Sequence, residues 1–398
     1  MCAIFETLLN ARSEMTMIIN LKSILFFQMR MAATVLFFLS CCFVQAKVDL
    51  TPSALKPAEV EKFLKQHPEY KGLWCSKVVF FNGKLYVSSN IGLLEIDNSS
   101  LSKAYQWKNS NGGAIWGDPA NRQLWVEVAD NGFATFDGNV WRSVPRPTPK
   151  KGYFTRAEIL EGFHAVSTTN SFWLTGAGCA WCWDKDHRSW TEKLSPPALR
   201  IGNRLGKLRR LFFVDNKPFI VARYEYDWAI FGRERLKTRV HGDMIASNLI
   251  SDKVYYFDNR WIEVSNATVK PLYIEQTVSI DKRGFMLSDE GELYEVGPSG
   301  VSKLKVPGTC QALAVTSSET LLASFRDLGV YELAQDWKLR FKVPDSPTQA
   351  EDDVFLVENN GKIAIVYDKI RTSTTAGLWI LNGTELSRFE FPKAAQTN

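Results

Sequence analysis

The sequence predicts an all-β protein made of about eight small sheets, each of four strands. Three observations carry that prediction. First, beyond residue 75 helical periodicity gives way to short apolar runs separated by Asn, Asp, Gly and Ser, as in Val78-Val79-Phe80-Phe81, Asn82-Gly83, Lys84-Leu85-Tyr86-Val87. Asn-Gly accepts the positive φ that a tight hairpin turn requires. Second, the first hairpin tip of each unit falls at 82, 121, 170, 216, 251, 283, 318 and 360, a spacing of about 40 residues, the length of a four-strand blade. Third, a Trp stands after the third strand, at the start of a fourth, at Trp141, Trp190, Trp261 and Trp337. A large flat ring repeated at one strand position suits packing between radially stacked sheets. Together these describe a β-propeller of eight blades, or seven if the short unit 241–274 merges with its neighbour.

Composition agrees. Of 398 residues, 45% are hydrophobic and 23% charged, enough to bury a core and too little charge for wholesale disorder. Mean hydropathy is −0.16, which excludes a polytopic helical membrane protein. A net charge of +5 over the whole chain is too mild to indicate nucleic-acid binding.

Taken in order, residues 1–46 read as a presequence. The apolar stretch 32–44, AATVLFFLSCCFV, follows Met29-Arg30-Met31 and precedes Val44-Gln45-Ala46, whose small residues predict signal-peptide cleavage after Ala46. The stretch is too short to span a bilayer of about 30 Å. Translation would start naturally at Met29 or Met31, and a lipoprotein anchor at Cys41 is the alternative. The expected location is periplasmic or secreted, with no transmembrane helix after cleavage. Residues 47–71 form an N-terminal helical segment, with Pro57 in the first turn and Val60, Phe63 and Leu64 on one face. The propeller occupies 72–392, and 393–398 are a tail.

Cys2, Cys41 and Cys42 leave with the presequence, so Cys75, Cys179, Cys182 and Cys310 remain in an oxidising compartment, with three possible pairings. Cys75 and Cys310 both precede a first hairpin by seven or eight residues, which places them near the start of an innermost strand. Whether they could bridge depends on the width of the central channel. Cys179-Ala180-Trp181-Cys182 has the spacing of a redox pair or a metal half-site. Trp183 stands where haem attachment needs His, and residues three apart in a strand point to opposite faces. The expected reading is buried thiols or a local disulfide at a bent strand start.

A Trp-bearing strand followed by Gly-hydrophobic-x-x-x-Asp, as in Gln123-Leu124-Trp125-Val126 with Gly132–Asp137, and Ser171-Phe172-Trp173-Leu174 with Trp181–Asp184, resembles the two-component-regulator propeller repeat. The resemblance runs loosely over 72–391. It implies the propeller fold and, as one reading, an extracytoplasmic sensor component serving a separately encoded membrane kinase.

Catalytic signatures are sparse. HExxH, GxSxG and Walker glycine loops are missing, and His67, His164, His187 and His241 show no metal-ligand spacing. No cofactor and no metal are expected. Asn-x-Ser/Thr triplets begin at Asn98, Asn266 and Asn382, each on an expected turn. The informative anomaly is residues 200–241, with eleven Lys or Arg against four acids, a local balance of +7. Arg209 and Arg210 fall where an innermost strand begins, facing the channel mouth. Arg233, Arg235, Lys237 and Arg239 alternate along an expected outermost strand and would share one face. Arginine's planar fork suits carboxylate, sulfate or phosphate. The leading function is a non-catalytic module binding a protein partner or an anionic glycan. Against it stands an enzyme acting on a glycan or lactone, with Asp118, Asp353 and the neighbourhood of His164 around the channel.

Overall fold

The computed structural model describes residues 49–67, 75–107, 113–118, 122–128, 132–147, 164–167, 171–176, 179–194, 200–201, 204–205, 207–214, 217–224, 227–231, 236–241, 245–248, 253–257, 261–263, 274–280, 283–288, 290–297, 300–343, 353–368 and 377–389. Between 200 and 263 only the backbone is described. The presequence, its cleavage site and the lipoprotein cysteine lie outside the described residues.

Among the described residues the protein is all-β apart from one helix, as expected. Its strands form eight antiparallel sheets of three to five strands, with one further two-stranded ribbon, Arg200–Ile201 with Arg204–Leu205. Strands follow in chain order within each sheet, apart from the N-terminal strand added to the first. The first sheet holds Cys75–Phe81, Lys84–Ser89, Gly92–Asp97 and Ser100–Gln106; the second, Ile115–Asp118, Gln123–Glu127, Phe133–Phe136 and Trp141–Val144. The third holds His164–Ser167, Phe172–Gly176, Cys179–Asp184 and Ser189–Leu194; the fourth, Lys207–Val214, Lys217–Tyr224, Asp227–Phe231 and Leu236–His241. The fifth has three strands, Ile245–Asn248, Lys253–Phe257 and Trp261–Glu263. The sixth to eighth run Ile274–Ile280 to Gly300–Lys303, Cys310–Val315 to Trp337–Phe341, and Asp353–Asn359 to Glu385–Phe389.

First strands adjoin one another in order. The first sheet's meets the second's, the second's the third's and the third's the fourth's; likewise the fifth's meets the sixth's, the sixth's the seventh's and the seventh's the eighth's. The eighth sheet's first strand then packs against that of the first. Cores sit between neighbouring sheets. Phe285, Leu287 and Leu293 of the sixth, for example, share a cluster with Leu313, Leu321 and Phe325 of the seventh.

The hairpin chemistry behaves as the sequence indicates. Asn82 and Gly83 take φ of 50° and 76°, and Asn360 and Gly361 take 51° and 81°. Trp141, Trp190 and Trp337 do begin or nearly begin fourth strands, and the rings of Trp141 and Phe136 stack at 4.6 Å. Two of these indoles also stitch sheets together. Trp190 Nε1 donates to the Pro145 carbonyl at 2.9 Å, just past the second sheet's last strand. Trp337 Nε1 donates to the Lys305 carbonyl at 3.0 Å, just past the sixth's.

Two expectations need correction. Trp261 opens the third strand of its sheet, not a fourth. This unit pairs Lys253–Phe257 directly with Ile245–Asn248, so Phe257 ends a second strand. The N-terminal segment is also not helical throughout. Ser53–Leu55 is a strand pairing with Ala104–Gln106, which adds a fifth strand to the first sheet. Helix Pro57–Gln66 follows, its first turn held by Glu59, whose Oε2 accepts from the Lys56 amide at 2.7 Å. Its Val60 and Leu64 are buried in a cluster with Val78 and Leu94 of the first sheet and Ala364 and Ile380 of the eighth.

Candidate functional site

In an antiparallel meander the starts of the first and third strands and the ends of the second and fourth share one end of the sheet. Four sheets mark that end with the same irregularity. Pairing steps from Cys75↔Ser89 to Lys77↔Ser88, from Leu208↔Ala222 to Arg210↔Val221, from Ile274↔Ser288 to Gln276↔Leu287, and from Cys310↔Phe325 to Ala312↔Ser324. Each first strand thus carries one extra residue near its start, Ser76, Arg209, Glu275 or Gln311. A bulge of this kind re-aims the residues beside it.

The residue after the bulge shows what that does. Gln276 of the sixth sheet reaches the seventh, where its Nε2 donates to the Leu313 carbonyl at 2.6 Å and its Oε1 accepts from the Leu313 amide at 2.8 Å. Lys77 of the first sheet turns to the second in the same way, its ammonium 5.3 Å from the centre of the Trp116 ring. Burial without a compensating charge pushes the Lys77 ammonium down to about 8.

The fourth sheet holds the basic segment. Register places Lys207 opposite Arg223, Arg223 beside Trp228, and Arg239 opposite Ala229, with Arg210 opposite Val221. Lys207, Arg209, Arg210, Arg223 and Arg239 therefore fall within three register rows at the first-strand end of one sheet. Like charges directly opposite in a sheet are destabilising. Of the acids in these strands, Asp227 reaches the same end, opposite His241. Arg209 and Arg210 lie near the start of a first strand, as expected. The outer strand runs Leu236–His241, so Lys237 and Arg239 lie on it, whereas Arg233 and Arg235 lie outside the described residues. A register shift at Lys237 interrupts the simple alternation expected there. Lys207 and Arg223 belong to the basic run, and only cross-strand register reveals that they are directly paired positions.

The residues of the enzymatic alternative do not all lie at one strand end. Asp118 ends its strand rather than starting it; it is buried and accepts from Trp125 Nε1 at 3.4 Å. Asp353 and His164 do begin first strands, opposite Asp368 and Thr175. Among the described residues, no group of three or more His, Cys, Asp or Glu could hold a metal ion. His187 lies on an exposed turn, held above its usual range by a 2.8 Å hydrogen bond to Asp184.

Cys75 and Cys310 begin first strands and are buried, and both are reduced, as is Cys182. The possible bridge between Cys75 and Cys310 is therefore not formed. Burial pushes the Cys310 thiol up to about 12 and holds Cys182 above its usual range, so neither is an activated thiolate.

The chain is thus an all-β protein of successive small antiparallel sheets with a cation-rich end on one of them. No family model matches it, and no curated protein matches it. Solved structures do. One is the extracellular domain of a hybrid two-component system, BT4673, from B. thetaiotaomicron, at 14% identity and TM-score 0.45, covering 83% of this chain and 40% of that one. This chain therefore spans less than half of that structure. A computationally designed protein, Ika8, matches at 11% identity and TM-score 0.50, covering 78% of this chain and 97% of that one. BBS1N, solved in complex with ARL6DN, matches at 12% identity and TM-score 0.41, covering 78% of this chain and 91% of that one. At such identities likeness concerns the fold alone.

Among the described residues, no helix is long and apolar enough to cross a membrane.

Proposed function

We propose that the chain is an exported eight-bladed β-propeller serving as a non-catalytic binding module, with an anionic glycan or an acidic protein face as its ligand. The presequence over 1–46 supports export. Supporting the propeller are the eight consecutive meander sheets and the contact of the eighth sheet's first strand with that of the first. The observation that carries the binding reading is the gathering of Lys207, Arg209, Arg210, Arg223 and Arg239 at one end of the fourth sheet. Such a set repels itself until an anion joins it, and guanidinium groups grip oxyanions in pairs. Arg233, Arg235 and Lys237 add to the basic run in sequence.

The test is retention of the full chain on immobilised acidic polysaccharide at low salt. Replacing Arg209 and Arg210 with Ser, or Arg233, Arg235 and Arg239 with Ser, should abolish retention, and raising ionic strength should weaken the parent's. Unchanged retention in both variants would refute the anionic reading.

A further inference from the structure

We propose that Lys77 binds an oxyanion, a sulfate, phosphate or carboxylate group, at the junction between the first strands of the first and second sheets. The proposal rests on reading the first-strand end as the binding face and adds to it a site that the basic segment does not include. Position is the first ground. Lys77 follows a bulge as Gln276 does, and in the sixth sheet that position is aimed at the neighbouring sheet's first strand. Gln276 offers both a donor and an acceptor, and the Leu313 peptide group takes both. An ammonium only donates, and here it meets the face of Trp116 instead of a carbonyl.

The second ground is charge. Among the described residues, no carboxylate pairs with Lys77, and loss of hydration is the only influence on its titration. An indole face returns only about 0.5–2 kcal/mol to a cation. A desolvated cation with unused N–H donors is complementary to an oxyanion, which supplies both charge and acceptors. The third ground is recurrence: Arg210 of the fourth sheet occupies the same post-bulge position. Two sheets therefore bring a cation to equivalent places on the same end.

The experiment uses the full chain in sodium sulfate and in sodium chloride at equal ionic strength. Acetylation of Lys77 by an N-hydroxysuccinimide ester, read by peptide mass spectrometry, should slow about tenfold when sulfate is near ten times its dissociation constant. Sulfate should also raise Tm above the chloride value. Lys77→Met should lose that rise, and Lys77→Arg should restore it. Repeating the labelling with dextran sulfate separates the sources: protection by inorganic sulfate indicates a free oxyanion, and protection by the polymer alone indicates a group carried on a glycan. Lys77 labelling that neither anion slows, or a full sulfate effect in Lys77→Met, overturns the proposal. Loss of polysaccharide retention in the arginine variants with unprotected Lys77 would leave the basic blade standing and remove this site alone.

Discussion

The seam between the sixth and seventh sheets and the seam between the first and second use the same two positions to opposite effect. At the sixth–seventh seam Gln276 satisfies the Leu313 peptide group, and Trp337 donates to the Lys305 carbonyl. At the first–second seam the matching Lys77 has a ring in place of hydrogen-bond acceptors, and the matching Trp141 has a buried Nε1 with no acceptor. Trp141 instead packs edge-on to Trp107 at 5.5 Å. The N-terminal segment takes over there: Trp107 Nε1 donates to the Leu50 carbonyl at 2.8 Å, and the Leu50 amide to Ser143 Oγ at 2.7 Å. One seam is closed by its own repeat. The other is closed by a strap, and its repeat positions carry groups that still lack polar partners. A repeat tolerates such departures because neighbouring interfaces contribute separately to stability.

The largest expected effect breaks the contrast at Lys77. Its folded value, about 8, lies below the unfolded 10.5, so the charge opposes folding at every pH below 8. That penalty, about 3 kcal/mol, fades as pH rises from 8 to 10.5. Urea unfolding at pH 7 should show Lys77→Met more stable than the parent by about 2–3 kcal/mol, and the advantage should vanish near pH 10.5. The mirror experiment, Gln276→Leu, leaves a part-buried peptide group unsatisfied on both sides and should cost about 2–3 kcal/mol. Equal responses at the two sites would erase the distinction between the seams.

Within the first sheet, Glu95 sharpens the comparison, because there a buried charge is fully served. Burial alone would raise its carboxyl, but hydrogen bonds from Lys84 at 2.6 Å and Tyr105 at 2.7 Å hold it below the usual range. A depressed folded value gives stability that is present above the unfolded carboxyl range and is lost as pH falls through the folded one. Glu95→Gln should cost about 2 kcal/mol at pH 7 and flatten the acid limb of the stability profile. The smallest effect separates the two indoles. Trp337→Phe should cost about 1 kcal/mol more than Trp141→Phe by thermal unfolding, since only the former loses a hydrogen bond.

What the sequence made legible was local. Asn82-Gly83 and Asn360-Gly361 announce their hairpins because the turn chemistry sits in adjacent residues. The position of Trp141, Trp190 and Trp337 was readable for the same reason, each coming a few residues after a third strand. Trp261 misled because its unit pairs in a different phase. Register was not legible. Bulges at Ser76, Arg209, Glu275 and Gln311 leave no residue signature, yet they decide which side chain turns to the next sheet. Lys77 was invisible for that reason, as was the opposition of Lys207 to Arg223. The basic run itself stood out by count, while its gathering at one end needed the strand order. The strand Ser53–Leu55 escaped notice because three residues carry too little pattern to tell an edge strand from the approach to a helix.

The helix Pro57–Gln66 has a consequence for how the chain is made. Val60 and Leu64 complete a cluster with Ala364, Val366, Leu378 and Phe389. During synthesis those partners arrive last, so the helix can meet Val78 and Leu94 of the first sheet early, but its apolar stripe stays incompletely covered while six intervening sheets are laid down. Final docking is therefore a long-range event, slow by contact order, and a chain stalled before residue 364 would present that stripe to chaperones or to a second stalled copy.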